Sequence, residues 1–441
     1  MALRRTLGVT DLTLLVIGNV IGSGIFIVPA SVLTQTGGSV TAASLVWLVG
    51  GVLSLLGALS YGELASMDRG SGGLYGFIRD GFGRFPAFLY GWTLFFVIAA
   101  GSIATLAVAA ANYMGQFTEL GALTKKVIAV GLIGIMCIIN VRGTRGSASV
   151  QNVATGIKVG AILLMSIILF AMGDGGASLP PPATPMVGAG TVALSGIGLA
   201  MISVLWAYEG WQYVTFADAE SVDPQRSLPR AIALGTAALV VIYLVANFAY
   251  LAALGPERVA ASERVAGEAM AAVLGPRAGQ LIALAIIISM YSAAHATVIT
   301  APRVYYAMAN DGVFFKRLAE VSPRFGTPAV AIVASCAWAM VLAVSGTFEQ
   351  LLTYVVFVGW IFYALGAAAV IALRISRPDA KRPFKVPGYP VTPILFVVAA
   401  AAIVGNTIYS QPGRAAVGIG MVLLGAPAYA LWRRQRGSTA P

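Results

Sequence analysis

The sequence predicts an all-α polytopic membrane protein with 12 transmembrane helices. Its 441 residues are 58% hydrophobic and only 10% charged, whereas soluble proteins carry about 25% charged residues. About a dozen apolar segments follow one another along the chain, each close to the roughly 20 residues that a spanning helix needs. The composition therefore excludes an ordinary soluble enzyme, a disordered chain and a secreted disulfide scaffold.

The apolar segments must be helices, because a single strand cannot satisfy its backbone in lipid and the alternating pattern of a β-barrel is missing. Their boundaries are good to about three residues. The predicted spans are 12–33, 40–61, 85–112, 124–141, 150–172, 192–217, 229–254, 278–302, 328–346, 350–373, 391–409 and 415–432.

The connections between these spans are short, so we expect one transmembrane domain over residues 1–441. The glycine- and proline-rich stretch 173–185 is interpreted as a loop. The N-terminal letters MALRR and the apolar run after them resemble a signal peptide. That run is too long and lacks a small-residue cleavage pattern, so we interpret it as the first span.

Positive charge is distributed unevenly between the two sides of the predicted membrane. The chain carries 28 Lys and Arg against 17 Asp and Glu, for a net charge of +11. Alternate assignment of the loops puts 21 of the basic residues on one side and six on the other, with Lys158 inside a helix. The positive-inside rule then places both termini in the cytoplasm. We expect the membrane to be the cell (inner, cytoplasmic) membrane. We therefore expect no nucleic-acid partner.

A metal or cofactor site is not expected. The chain has one histidine, His295, and two cysteines, Cys137 and Cys336, which lie inside apolar runs. These residues cannot supply the usual ligands of a zinc site. They also offer no nucleophile with a base, which argues against an intramembrane enzyme.

Two predicted helices are interrupted by glycine. The first carries GNVIGSGIF at 18–26, and the sixth carries WAYEGW at 206–211. Helices five apart run in opposite directions, and matching breaks in two inverted halves are typical of a transporter's midplane site. A single glycine run would more simply serve close helix packing, but the paired breaks favour a binding site.

Five stretches resemble the amino acid–polyamine–organocation superfamily, and within it the L-type amino acid transporter-like permeases. They are IGSGIFIVPASVL at 21–33, the run 61–92, WAYEGWQYV at 206–214, the loop 218–232 and RPDAKRPFKVPGYP at 377–390. The resemblance implies two inverted five-helix repeats, about 12–172 and 192–373, followed by two terminal helices, about 391–432. It also implies amino acid transport by alternating access, and no enzymatic activity.

The chain departs from that group in two ways. Animal members join a single-pass heavy chain through a cysteine between helices three and four, but residues 112–123 contain none. We therefore expect no disulfide-linked partner beyond the amino acid substrate and the lipid bilayer. Glu209 stands where animal relatives often have Gly or Asp, which leaves the choice of substrate open.

An amino acid zwitterion needs partners for both of its charges inside the membrane. The N–H groups of a broken helix favour the carboxylate, and its free carbonyls accept from the ammonium. We assign the carboxylate to Gly22–Gly24, and the ammonium to the carbonyls of residues 20, 21, 206 and 207. The predicted substrate-binding residues are Val20, Ile21, Gly22, Ser23, Gly24, Trp206, Ala207 and Glu209.

Six individual residues receive further assignments. The resemblance gives Trp206 the role of a gate, and it lets the Lys158 ammonium take the space of a sodium ion between helices one, five and eight. His295 and Glu209 are candidates for proton coupling, although either side chain is also explained as a buried polar group. Phe357 and Trp360 are interpreted either as pocket walls or as ordinary packing.

The leading hypothesis is a secondary transporter of small neutral L-amino acids, sodium-independent, acting as an exchanger or a proton-coupled symporter. A channel would need a polar pore or a ring of charges. Lys158 and Glu209 are the only charged residues that lie clearly within the predicted helices, which argues against a channel. A transporter of cationic or polar amino acids or of polyamines, with the same fold, is the alternative. A non-transporting amino acid sensor is a further one.

Overall fold

The computed structural model describes residues 7–67, 72–142, 148–178, 193–320, 322, 325 and 327–437. Within these ranges the chain is helical, and the only β-type pairing is an isolated parallel bridge between Leu7 and Ser221. The predicted loop 173–185 lies outside the described residues beyond position 178, as do Arg4, Arg5, Arg69, Arg145 and Arg324.

Helices cover the predicted apolar segments, although two of them continue seven and eight residues beyond the predicted ends, to Ala261 and Asn310, and the last predicted span, 415–432, is divided between two helices. The helices are α1 (Val9–Val20), α2 (Gly24–Gln35), α3 (Val40–Ser66), α4 (Leu74–Phe82), α5 (Arg84–Thr93), α6 (Ala100–Tyr113), α7 (Ala122–Arg142), α8 (Ala148–Met172), α9 (Leu194–Ala207), α10 (Pro224–Ala261), α11 (Val265–Leu274), α12 (Pro276–Asn310), α13 (Ala329–Ser345), α14 (Phe348–Ser376), α15 (Val391–Ser410), α16 (Pro412–Leu423) and α17 (Gly425–Gly437). A π-helix, Leu94–Ala99, joins α5 to α6, and a 3-10 segment, Trp211–Glu220, follows α9.

Among the described residues, nine helices are long and apolar enough to cross a membrane, and α1 with α2 makes a tenth as a pair bent by 49°. The chain is thus a multi-pass membrane protein. The other two predicted spans correspond to α9, which has 14 residues before its break, and to α13, which has 17. The count of twelve spans remains a prediction.

Two helices were not predicted, and both are short. Helix α4 carries Arg79 and Asp80 on nine residues, and α11 has ten residues between two long helices. Neither contains an apolar run long enough to span lipid. The hydropathy pattern that indicates the long helices therefore leaves both in what looks like loop.

The two broken helices cross each other backbone to backbone. A Cβ atom added to Gly24 would lie 2.3 Å from the Cα of Ala207, and one added to Gly210 would lie 3.0 Å from the carbonyl oxygen of Asn19. Gly210 also has a φ of 124°, which favours glycine. The sequence interpretation gave Gly24 a role in admitting a ligand, but its position has a packing reason of its own, since no side chain fits between α2 and α9.

A buried carboxylate ties α3 to the end of α14. The Glu63 side chain, 1% exposed, accepts hydrogen bonds from Arg374 Nε at 2.8 Å and Nη2 at 2.6 Å. Arg382 Nε lies 3.4 Å from Oε1 of Glu63, and the Val386 N–H donates to Oε2 at 2.7 Å. Arg374 also stacks over the Tyr389 ring at 3.8 Å. One carboxylate thus fixes the segment after α14 against α3.

A second polar cluster lies at the same end of the bundle and joins α4 to α12 and α14. Tyr75 donates to Asp311 at 2.7 Å, and Arg79 Nη1 pairs with the same oxygen at 2.9 Å. Asp80 lies 3.3 Å from Arg79 and 3.8 Å from Arg377. Burial and the hydrogen bond to Asp311 both raise the pKa of Tyr75, so this hydroxyl remains a donor.

Replacing Glu63 by Gln should lower the free energy of unfolding by about 3 kcal/mol, because two arginines would lose their buried counter-charge. Thermal unfolding of the purified protein in detergent measures this loss. The matched control is Glu268→Gln, whose partner Arg264 lies 3.8 Å away and where the two side chains are 36% and 25% exposed. This change should cost at most about 1 kcal/mol. Equal stability of the two variants would contradict the structural role of Glu63.

Replacing Gly24 by Ala should destabilise the protein by about 1–3 kcal/mol, the usual cost of overpacking, because the new methyl group meets the Ala207 backbone. Gly131→Ala is the control, since no atom lies within 4 Å of a Cβ added there. That change should be neutral or slightly stabilising. An unfolding temperature for Gly24→Ala that matches the control would show that α2 and α9 do not need this close contact.

Candidate functional site

A small cavity lies at the two helix breaks. Its volume is about 30 Å³, which is room for about two water molecules. It is lined by Asn19, Val20, Gly22, Ser23, Gly24, Ser102, Leu106, Trp206, Glu209, Tyr213, Ala293 and Thr297. Six of the eight predicted binding residues are among them, whereas Ile21 and Ala207 are not. An amino acid would fit only after the walls move apart.

The first turn of α2 borders this cavity. Ser23 is the N-cap, and the first hydrogen bond of the turn runs from the Phe26 N–H to the Ser23 carbonyl at 3.1 Å. The first N–H groups of a helix have no partner within the helix, and they carry the positive end of its dipole. This edge of the cavity can therefore stabilise an anionic group.

The carbonyl groups freed by the breaks already have protein donors. Tyr243 OH lies 3.2 Å from the Val20 oxygen and 3.0 Å from that of Ala207, and Ser289 Oγ donates to Ile21 at 3.2 Å. The Glu209 N–H donates to the Trp206 carbonyl at 3.1 Å. Each carbonyl oxygen can accept a second hydrogen bond, and the single Tyr243 proton is shared between two acceptors. The predicted ammonium partners are thus partly satisfied before any ligand arrives.

Lys158 lies between three helices. Its side chain is 8% exposed, and Nζ donates to the carbonyls of Ser289 at 3.2 Å and of Gly18 at 3.5 Å. Those acceptors belong to α12 and α1, and Lys158 itself belongs to α8. The Lys158 amino group therefore occupies the junction behind the first break.

Glu209 lines the cavity with its carboxylate held in place. Gln212 Nε2 donates to Oε1 at 2.5 Å, and the Tyr363 hydroxyl donates to the same oxygen. The Gln212 amide is itself oriented, because its oxygen accepts from the Gly210 N–H at 3.2 Å and its Nε2 reaches Tyr363 OH at 2.9 Å. The acid is thus braced by neutral donors and has no cationic partner among the described residues.

Asn19 is a cavity residue that the sequence reasoning passed over. Within the described part of the chain, neither its amide oxygen nor its amide nitrogen has a hydrogen-bond partner, and both atoms are shielded from solvent. Buried polar groups are normally bonded. An amide in the middle of an apolar helix, inside the first glycine-rich run, was the available signal.

Trp206 separates the small cavity from a larger one. Its Nε1 donates to Ser23 Oγ at 3.1 Å, and its ring packs edge-on against Phe348 at 6.4 Å. Phe348 lines an open cavity of about 610 Å³, together with Ile202 and Ser203 from the turn before Trp206. The indole therefore forms the wall between the two spaces.

His295 lies outside the cavity lining, although Ala293 and Thr297 on the same helix belong to it. Asn140 Nδ2 donates to the Met136 carbonyl at 2.8 Å and contacts His295 Nδ1 at 2.9 Å. The first bond fixes the amide orientation, so Nδ1 must be the acceptor and the ring proton sits on Nε2.

The two predicted wall residues of α14 pack elsewhere. Phe357 faces Gly418 on α16, and Trp360 stacks on Phe396 of α15 at 5.1 Å. Neither side chain lines the cavity in this structure, and both pack against neighbouring helices. Helix α14 contributes Tyr363 to the Glu209 cluster instead.

Metal binding has no candidate in the part of the chain that the structure describes, where no three His, Cys, Asp or Glu side chains converge. Both Cys137 and Cys336 are free thiols. The arrangement offers hydrogen-bonding groups to a ligand.

Comparison with known proteins agrees with this arrangement. The family model described as "Amino acid permease" matches residues 7–429. Serine/threonine exchanger SteT of Bacillus subtilis is 30% identical over 439 residues, covering 99% of this chain and 98% of that protein. The b(0,+)-type amino acid transporter 1 of Rattus norvegicus is 32% identical, covering 93% and 84%. Large neutral amino acids transporter small subunit 2 of Homo sapiens is 30% identical, covering 98% and 81%.

The family match over nearly the whole chain and the relatives at 30% identity or above agree with the glycine-rich motifs of the two breaks. The chain belongs to the amino acid permease family of the amino acid–polyamine–organocation superfamily, a family of membrane amino acid transporters and not of enzymes.

Proposed function

We propose that the protein is a secondary transporter of small neutral L-amino acids across the cytoplasmic membrane, working by alternating access. The observation that carries the proposal is the cavity between two broken helices, which has a helix N-terminus on one side and freed carbonyls on the other. The exchanger among the relatives supports an exchange mode, and proton-coupled symport is the other mode we retain.

In this proposal the substrate carboxylate meets the N–H groups of Gly22, Ser23 and Gly24. The ammonium takes the free lone pairs of the carbonyls at Val20, Ile21, Trp206 and Ala207, which Tyr243 and Ser289 orient. A zwitterion is then neutralised at both ends by backbone dipoles, without a charged side chain. The cavity must expand for this, with Trp206 as the gate.

The charge distribution supports an orientation of the protein in the membrane. With 21 basic residues on the side of both termini, the positive-inside rule makes that side cytoplasmic. The cavity of about 610 Å³ is lined by Lys125, Glu263 and Arg414, from loops assigned to the outside. The Glu63 and Asp311 clusters lie at the opposite, inner end. In this proposal the larger cavity faces the outside, and Trp206 lies between it and the substrate cavity.

The remaining architecture belongs to the same proposal. Twelve spans form two inverted five-helix repeats, about 12–172 and 192–373, and two terminal helices. The connection between α6 and α7 has no cysteine, so we propose that the protein works without a disulfide-linked heavy chain. Lys158 replaces a coupling sodium ion, because an ammonium fixed between α1, α8 and α12 leaves that junction no place for a second cation.

A second candidate substrate class is favoured by Glu209. A carboxylate at the cavity wall, held by Gln212 and Tyr363 and without a cationic partner among the described residues, would bind a cationic or polar side chain of the substrate. It would alternatively take up and release a proton during transport, as would His295 at its more distant position.

The proposed function predicts saturable, stereospecific uptake of L-alanine or L-serine into proteoliposomes, unchanged when sodium is replaced by potassium. Lys158→Ala should abolish this uptake at near-normal expression, because the carbonyls of Gly18 and Ser289 lose their donor. Uptake strongly stimulated by sodium would contradict the role of Lys158. Flux that does not saturate would indicate a channel, and substrate binding without flux would indicate a sensor.

Glu209→Gln keeps the shape of the side chain and removes its charge. If the carboxylate holds cationic substrates, the variant should lose lysine and arginine uptake and retain alanine uptake. If the carboxyl group carries the coupled proton, the pH dependence should flatten for every substrate. Uptake of twenty amino acids as competitors, at two pH values, measures both effects. An unchanged profile in both would make Glu209 a structural residue.

A further inference from the structure

A further cavity opens sideways from the bundle, between α8 and α12. Its volume is about 230 Å³. It is lined by Phe26, Ile157, Lys158, Ala161, Ile162, Met165, Ile282, Ala285, Ile286, Ile288, Ser289 and Ser292. We call this space the lateral crevice. Nothing in the proposed transport cycle uses it.

The crevice exists because its two walls pack against other partners. Helix α8 packs against α1 and α10, and α12 packs against α6 and α11. The gap left between them is backed by Phe26, from the first turn of α2. It therefore runs from the outer surface of the bundle to the rear of the first helix break.

The mouth of the crevice lies on a surface that faces lipid. Ile157 and Ile288, one on each wall, are 66% and 60% exposed. Both belong to helices that are long and apolar enough to span the membrane, over Thr155–Met172 and Pro276–Asn310. Exposed aliphatic side chains at mid-helix contact hydrocarbon in a bilayer, so the crevice opens into the hydrocarbon layer.

The lining decides what can fill the space. Lys158 Nζ is directed to the carbonyls of Gly18 and Ser289, and Ser289 Oγ is directed to Ile21. Little polar surface remains for water, which needs two to four polar partners to be held. An empty apolar gap of this size would lose the dispersion contacts of its whole lining. A flexible hydrocarbon chain satisfies both conditions.

We propose that the lateral crevice is a binding site for one acyl chain of a bilayer phospholipid, inserted from the side. The chain lies between Ala161 on α8 and Ala285 on α12, whose small side chains leave the space open. Its end contacts Phe26 and the methylene groups of Lys158. The lipid thereby fills the space behind α2 on the side away from the substrate cavity.

The test uses the whole protein in phospholipid nanodiscs that contain a phosphatidylcholine with a diazirine near the end of one acyl chain. After photolysis, peptides from 157–165 and 282–292 should be labelled more strongly than the lipid-facing surface of α15. Ala161→Phe should reduce the crevice labelling about tenfold, which corresponds to the lost burial of roughly two methylene groups. Ala402→Phe, at an exposed position of α15, is the control and should leave it unchanged.

Ala285→Phe fills the crevice from its other wall and provides the same test if Ala161→Phe does not fold, as judged by gel filtration. Equal labelling of all lipid-facing helices would overturn the proposal, as would crevice labelling that neither filling variant reduces. Strong labelling of the same peptides by a small water-soluble diazirine would also overturn it, because the crevice would then hold water.

Discussion

A helix cannot be interrupted inside hydrocarbon unless other groups take over the hydrogen bonds that the interruption frees. That constraint organises the centre of this protein. Tyr243 of α10 donates to carbonyls of both breaks. Ser289 of α12 donates to the carbonyl of Ile21, and Lys158 of α8 donates to that of Gly18. These polar contacts hold three long helices around the first break. Their loss would leave backbone carbonyl groups without a donor inside the membrane. The same hydrogen-bond donors therefore stabilise the helix breaks and orient the carbonyl groups at the cavity.

The sequence predicted much of this architecture because lipid imposes simple rules. The apolar runs indicated the long helices, although α10 and α12 continue seven and eight residues beyond the predicted ends. The two glycine-rich motifs marked the breaks at Val20 and Ala207. The donors that complete those breaks could not be predicted. Tyr243 and Ser289 lie 223 and 268 residues from their partners on the first helix, and a hydroxyl in an apolar helix has no local pattern to distinguish it. The short helices α4 and α11 were missed because neither contains an apolar run long enough to span the membrane.

The least predictable feature was the direction in which side chains point. Phe357, Trp360 and Tyr363 share one helix, and residue type alone would have made any of them a cavity wall. Only Tyr363 reaches Glu209, whereas the other two pack on neighbouring helices. Asn19 shows the converse, because its unpaired amide becomes visible only when the surrounding helices are in place. The direction of a side chain depends on the tertiary structure, because it is set by the helices that pack against its own helix.

The contact between Gly24 and Ala207 has a mechanical consequence. No side chain separates the two backbones there, and a second backbone contact joins the other end of α2 to α9, where a Cβ atom added to Gly196 would lie 2.3 Å from the carbonyl oxygen of Gln35. Helix α2 has 12 residues, from Gly24 to Gln35, which span about 18 Å at a rise of 1.5 Å per residue. A rotation of α2 about Gly24 would therefore break the contact at Gln35. The two half-helices are joined at both ends of α2, so an expansion of the substrate cavity that keeps both contacts must displace α2 and α9 together.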